Sequence, residues 1–169
     1  MSVTLRVVGN FYFRDDIEFK ENMTVADVLN YARDNTGSGD ADLFNFDLGK
    51  LTIGADAGKP SVTAFVARYP NGVTSRTSGV EYPEGEYYVA EDLNLRPAYT
   101  VWQYYVFNAP LQSGGAYEPQ KPRLNSFVDA PVQDGGMVVW RLVSVLANKN
   151  PVPATRRQAL LGPENMGMV

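Results

Sequence analysis

An α+β fold, one helix laid across strands, is what this sequence predicts. Residues 22–37 (NMTVADVLNYARDNTG) carry the one strong helical stripe in 169 residues. Alternating or doubly apolar segments occupy both ends of the chain, and no fixed-period repeat points to a solenoid or propeller.

The helix has a defined start. Thr24 is suited to the N-cap, Asp27 stands where a capping box places its acid, and Met23 can pack on Val28 as a staple. Val25, Val28, Leu29 and Ala32 then fall on one face, and Gly37 is the expected stop. So short a helix needs a sheet beneath it. Before it, residues 2–8 alternate, with Val3, Leu5 and Val7 on one face, and Gly9-Asn10 marks a turn. Residues 11–19 resume an extended run, with Asp15-Asp16 as a bulge or bend. A strand hairpin feeding a helix that lies across it opens a β-grasp, the ubiquitin-like arrangement.

Residues 38–48 lose their period and predict a loop, followed by a short strand at 51–53. Residues 61–69 and 73–77 predict two strands joined by the turn Pro70-Asn71-Gly72, and a second pair spans 79–89, broken at Pro83-Glu84-Gly85. Residues 98–108 (AYTVWQYYVFN) and 137–146 (MVVWRLVSVL) are apolar on both faces, which predicts two central, paired strands. A helix covers only one face of such a sheet, so the other needs a second cover, for which the insertion at 38–97 is favoured over a partner or a ligand. Residues 109–136 form a long connection punctuated by Pro and Gly. The expected organisation is a domain over 1–146, with that insertion, and an extended C-terminal tail over 147–169 containing Pro151, Pro153 and Pro163.

Composition narrows the chemistry. The 15 Lys+Arg stand against 19 Asp+Glu, a formal charge of −4, which disfavours nucleic acid and anionic membranes as partners. No run of 18 apolar residues exists, so no membrane insertion is expected. Met1 leads directly into an alternating segment without a signal-like stretch, an expectation of a cytoplasmic protein unless a leader has been removed. The sequence has no Cys and no His, which removes thiolate nucleophiles, the commonest general base and the usual zinc and haem ligands. The expectation is a non-enzyme with no catalytic residues, no cofactor and no metal.

Several residue groups are candidate sites. Trp102, Tyr104 and Tyr105 can form a stacking platform for a sugar or ring-bearing ligand, although strand aromatics more commonly fill a core. Asp40, Asp42 and Asp47 lack EF-hand spacing and fit a solvated loop better than a Ca²⁺ site. Glu81, Glu84 and Glu86, or Glu91 and Asp92, are better read as surface charge than as a glycosidase pair. Gly114-Gly115 and Gly135-Gly136 lack the following helix and Lys of a phosphate loop. In the tail, Arg156 and Arg157 followed by Leu160 and Leu161 form a candidate docking segment for a partner protein.

Three segments carry a family resemblance. Thr24-Val25-Ala26-Asp27-Val28-Leu29 fits a Thr-Val-x-Asp-x-Leu helix start. Trp102, Val106 and Asn108 follow a Trp-x-x-Tyr-Val-Asn-Gly strand. Asp134-Gly135 with Trp140 follows an Asp-Gly-Asp turn into an apolar strand ending in an aromatic. In this order they resemble the β-grasp domain family of unknown function related to the C-terminal domain of transcobalamin and intrinsic factor. Phe107 is extra before Asn108, Ala109 stands where Gly is usual, and Gly136 replaces the second Asp. The resemblance covers 2–37 and 98–146 and implies a β-grasp core with added β-hairpins. In the transcobalamins this domain closes over a corrin together with a helical domain, and cobalamin is not carried over to this chain. The functional expectation is an accessory or structural subunit that binds other protein subunits, its own copies or a larger complex. The alternative is a small-molecule or carbohydrate-binding module using the strand around Trp102.

Overall fold

The computed structural model describes residues 1–36, 40–51, 55–112 and 114–146. Its helix, α1 (Val25–Asp34), forms as its caps dictate. The Asp27 amide donates to Thr24 Oγ1 (3.4 Å) and the Thr24 amide donates to Asp27 Oδ2 (2.8 Å), so the capping box satisfies two N–H groups that the first turn leaves open. Val25, Val28, Leu29 and Ala32 are all buried. The stop differs from the expectation. Asn35 is the C-cap, its amide and side chain both donating to the Tyr31 carbonyl, while Gly37 lies outside the described residues.

The stripe lies on a four-stranded sheet built from both ends of the domain. Strands β1 (Ser2–Val8) and β2 (Tyr12–Glu18) form the opening hairpin. Between Val3 and Leu5 the register slips, because Asp15 and Asp16 both face the single residue Thr4, and the expected bulge is there. Strand β9 (Met137–Leu146) runs parallel to β1 and antiparallel to β8 (Ala98–Phe107), giving the order β2-β1-β9-β8. The pairing of residues 98–107 with 137–146 is as expected. Only β9 is central, however, and β8 ends the sheet. Its aromatic content is buried because other segments close over it: Asp92 and Thr100 exchange two backbone bonds, and the Arg123 amide donates to the Tyr104 carbonyl (2.9 Å).

The insertion folds as a second sheet. Strand β3 (Leu43–Lys50) occupies what the sequence predicts as loop, whereas residues 52–54, most of the short strand expected at 51–53, lie outside the described residues. Strand β4 (Pro60–Tyr69) pairs with β3 on one side and with β7 (Gly85–Ala90) on the other. The segments β5 (Val73–Thr74) and β6 (Glu81–Tyr82) pair only with each other. Pro70-Asn71-Gly72 is therefore not a hairpin turn. It is a kink in one long hairpin, β4–β5 against β6–β7, with Pro83 and Glu84 opposite. Proline cannot donate to the ladder, so pairing breaks at both strands together and resumes beyond. Gly72 takes φ +76°, and a side chain there would press on the Tyr82 carbonyl.

This second sheet does not cover the face opposite the helix, as expected of the insertion. It packs on the same face as α1. Phe65 of β4 meets Trp102 and Trp140 edge-on at 4.8 and 5.2 Å, and Phe44 of β3 stacks on Tyr12 at 4.0 Å. A few residues of the insertion do reach the opposite face: Leu93 packs on Tyr99, Val101, Val143 and Val145, Arg96 lies over the Tyr99 ring, and Arg76 lies over Phe13. The connection from β8 to β9 straps both sheets to α1. Ser126 Oγ donates to the Pro60 carbonyl (2.6 Å), Phe127–Asp129 make one 3₁₀ turn, and the Val25 amide donates to Ala130 (2.9 Å). Among the described residues no helix is long and apolar enough to cross a membrane.

Candidate functional site

Successive residues of a strand face opposite ways, so Trp102, Tyr104 and Tyr105 do not form one platform. Trp102 and Tyr104 face the core and are 3% and 5% exposed. Tyr104 tilts on Trp140 at 4.9 Å, and its hydroxyl donates to the Asn125 carbonyl (2.8 Å) and lies 3.0 Å from Asn125 Oδ1. Tyr105 is on the other face, its hydroxyl donating to Gln103 Oε1 (3.2 Å), and burial raises its phenol pKa.

Trp102 and Tyr104 form part of the wall of a narrow cleft of about 30 Å³, which Ser61, Arg123, Phe127 and Trp140 also line. Two of its polar atoms, Ser61 Oγ and Trp140 Nε1, are buried with no hydrogen-bond partner among the described residues. Both can donate, and Arg123 has no carboxylate within 4 Å among those residues, so the cleft favours an acceptor. Its volume is about a tenth or less of an ordinary small-molecule site, which runs to roughly 300–1,000 Å³. It has room for a single small group rather than a sugar ring.

A wider cleft of about 460 Å³ opens at the hairpin kink, lined by Asp40, Asp42, Asn71, Glu81 and Tyr82 among others. Its acids do not converge. Asp42 is paired with Arg68 Nε (2.8 Å), and Asp47 accepts the Tyr88 hydroxyl (2.8 Å) on the second sheet. Among the described residues no three Asp or Glu come together to hold a cation. Glu81, Glu84 and Glu86 are exposed, and Asp92 serves the backbone pairing with Thr100. The Gly135-Gly136 turn is structural: the Gly135 amide donates to Ser2, and a side chain on Gly136 would strike the Phe107 carbonyl. Arg156, Arg157, Leu160 and Leu161 lie outside the described residues.

Sequence reasoning missed Ser61, Arg123 and Trp140 as cleft residues. They come from three separate segments, and no local pattern marks their meeting. The class that the fold defines is a mixed α/β domain, with one α-helix and several sheets among the described residues. No family model matches the chain, and no curated protein matches its sequence.

Proposed function

We propose that this chain is a non-catalytic accessory or structural subunit, a β-grasp core that binds other protein subunits, with residues 147–169 contributing to the contact. The burial of Trp102 and Tyr104 carries this reading, because it takes the aromatic strand away from ligand stacking and leaves recognition to strand edges and faces. The absence of His and Cys from the sequence supports a non-catalytic role. The strand order β2-β1-β9-β8, with a parallel central pair and α1 following the first hairpin, supports the β-grasp and the resemblance to the transcobalamin-related family.

The test removes residues 147–169. Arg156 and Arg157 suit an acidic partner surface, and prolines reduce the entropy lost when an extended segment docks. The truncated chain is expected to keep its far-ultraviolet spectrum while its association, measured by light scattering and by capture of partners from the source organism, weakens about tenfold or more. Unchanged assembly with a melting point several degrees lower would assign the tail to its own domain and end the docking idea.

A second reading, a small-molecule-binding module at the Trp102 cleft, is favoured by the unpartnered Ser61 Oγ and Trp140 Nε1, while the cleft's volume leaves out the carbohydrate alternative. It predicts that tryptophan fluorescence shifts on titration with acetate and that Ser61→Ala abolishes the shift. A flat titration removes it.

A further inference from the structure

The face of the four-stranded sheet that α1 does not cover gathers arginines around Arg6, while the exposed acids Asp15 and Glu18 stand further along the edge strand β2, level with Thr4 and Ser2. Arg6 on β1 is level with Val139 on β9, and Arg141 on β9 is level with Val8 on β1, so the two arginines are diagonal neighbours. Diagonal neighbours on a sheet lie about 7–8 Å apart, within reach of one another's long side chains. Phe13 of β2 is level with Arg6 on the other side, and the Arg76 guanidinium sits 3.8 Å from the centre of the Phe13 ring. Arg6 and Arg76 together line a groove of about 100 Å³ whose walls include Phe11, Phe13, Ser75 and Thr77.

These charges are not answered from within. Arg14, Arg33, Lys59 and Arg68 each have a carboxylate within 4 Å, whereas among the described residues Arg6, Arg76 and Arg141 have none. Like charges on adjoining strands repel and cost stability. The chain as a whole carries −4, so the arginines stand together in spite of a surplus of acids.

The groove is also built to hold its shape. Phe11 stacks on Tyr82 at 4.4 Å, which pins the long hairpin against the β1–β2 turn. The hairpin tip is closed by bonds from the Ser75 amide to Val80 and from the Gly79 amide to Ser75, both 2.9 Å. Arg76 is thereby held with its guanidinium 3.8 Å from the centre of the Phe13 ring, and its N–H groups have the geometry to take a bidentate acceptor. The Ser75 and Thr77 hydroxyls, 3.1 Å apart, add donors to the wall.

A groove of this kind takes an oxyanion, and its surroundings select the source. Arg76 covers the Phe13 ring, Tyr105 is buried, and Phe107 is half-buried between Tyr105 and Tyr117 at 6.5 and 6.0 Å, so among the described residues this face offers little open ring surface for stacking a base. The half-buried neighbours on the same face are Val8, Met137 and Phe107, which suit apolar side chains alternating with acids. We propose that the groove and the band leading to Arg141 dock an acidic, partly apolar peptide segment of a protein partner, its carboxylates pairing with Arg6, Arg76 and Arg141. The proposal rests on the subunit reading above and gives that partner its chemistry.

Fluorescence anisotropy at low salt with a short labelled peptide of alternating Glu and Val tests it, beside a Gln-for-Glu twin, inorganic phosphate as competitor and a labelled oligothymidylate. The Glu peptide is expected to bind, and the twin to bind at least about tenfold more weakly. Arg6→Gln and Arg76→Gln should each weaken binding about tenfold, Arg6→Lys should keep most of it, and added salt should reduce it. Without peptide, Arg6→Gln should melt no lower than the parent, since it relieves repulsion. No binding of the Glu peptide, equal binding of the twin, preference for phosphate or oligothymidylate, or a Gln variant that melts several degrees lower would each overturn the proposal. If the peptide fails while the full chain still assembles, only this groove is lost. If the full chain also stays monomeric and captures nothing, the subunit reading falls with it.

Discussion

Trp140→Ala is expected to lower unfolding free energy by about 3–5 kcal/mol, the range for deleting a buried aromatic. Trp140 is 2% exposed on the central strand β9, and three separate parts of the fold close on its ring. Phe65 of the second sheet meets it at 5.2 Å, Tyr104 of β8 at 4.9 Å, and Phe127 of the strap at 5.9 Å. Those neighbours are anchored to different backbone elements, so none can move in to fill the cavity without disturbing its own sheet or strap. Trp140→Phe provides the contrast. It keeps an aromatic ring and removes an indole N–H that is buried with no partner among the described residues, a group whose desolvation costs about 1–3 kcal/mol. Its net effect should therefore stay below about 1.5 kcal/mol, as for shape-conserving core changes. Urea unfolding of both variants checks the pair. A loss under about 1 kcal/mol for the Ala variant, against the usual range, would mean that the two sheets do not share a core at this ring.

The elements legible in the sequence are those whose signals are local. Thr24, Asp27 and the stripe from Val25 to Ala32 specify a helix through contacts no more than a few residues apart, and the structure forms it at Val25–Asp34, inside the stretch 22–37. Asp15-Asp16 interrupts an apolar alternation, and the ladder slips there. Strand β3 reads as loop: Phe44 and Phe46 alternate with Asn45 and Asp47, but the preceding GSGDAD hides the change of period. The kink at Pro70-Asn71-Gly72 was not legible. The same residues make a hairpin turn or an interruption, and only the position of Pro83-Glu84 across the ladder decides which. The aromatic strand misled for a related reason. Residues apolar on both faces mark burial, and burial at a sheet's end is reached here by residues 92 and 123, remote in sequence, rather than by two flanking strands. The candidate sites follow the same rule: the cleft and the arginine groove are meetings of segments tens of residues apart, and charge that goes unanswered in space leaves no trace in a count of charges.

Raising pH should unfold this protein steeply once the ordinary phenol range is passed. Tyr12, Tyr69 and Tyr105 are at most 9% exposed, and burial is the largest cause raising each phenol above its usual value. For Tyr12 the nearby Arg14 opposes that shift without reversing it. Tyr69 has a further reason to stay neutral, because its hydroxyl donates to the Asn10 carbonyl at 2.7 Å and a phenolate would have nothing to donate. In the unfolded chain the same groups ionise near pH 10. Below that value both states hold their protons and stability is at its full level. Above it the unfolded state releases protons that the folded state retains, so stability falls as pH rises toward the folded values. Each such tyrosine contributes a slope of about 1.4 kcal/mol per pH unit in that window, and three overlapping windows give up to about 4 kcal/mol per unit. Urea midpoints should therefore be flat to about pH 10 and then drop, with the share of tyrosinate absorbance due to the buried rings rising along with unfolding rather than before it. Tyr69→Phe separates the contributions. It should cost about 1–3 kcal/mol at neutral pH, where it leaves the Asn10 carbonyl without its donor, yet reduce the alkaline slope by about 1.4 kcal/mol per unit. A parent protein whose midpoint holds to about pH 11.5, well beyond the free phenol value, would show that these rings reach solvent and that the packing around Tyr69 is looser than its hydrogen bond implies.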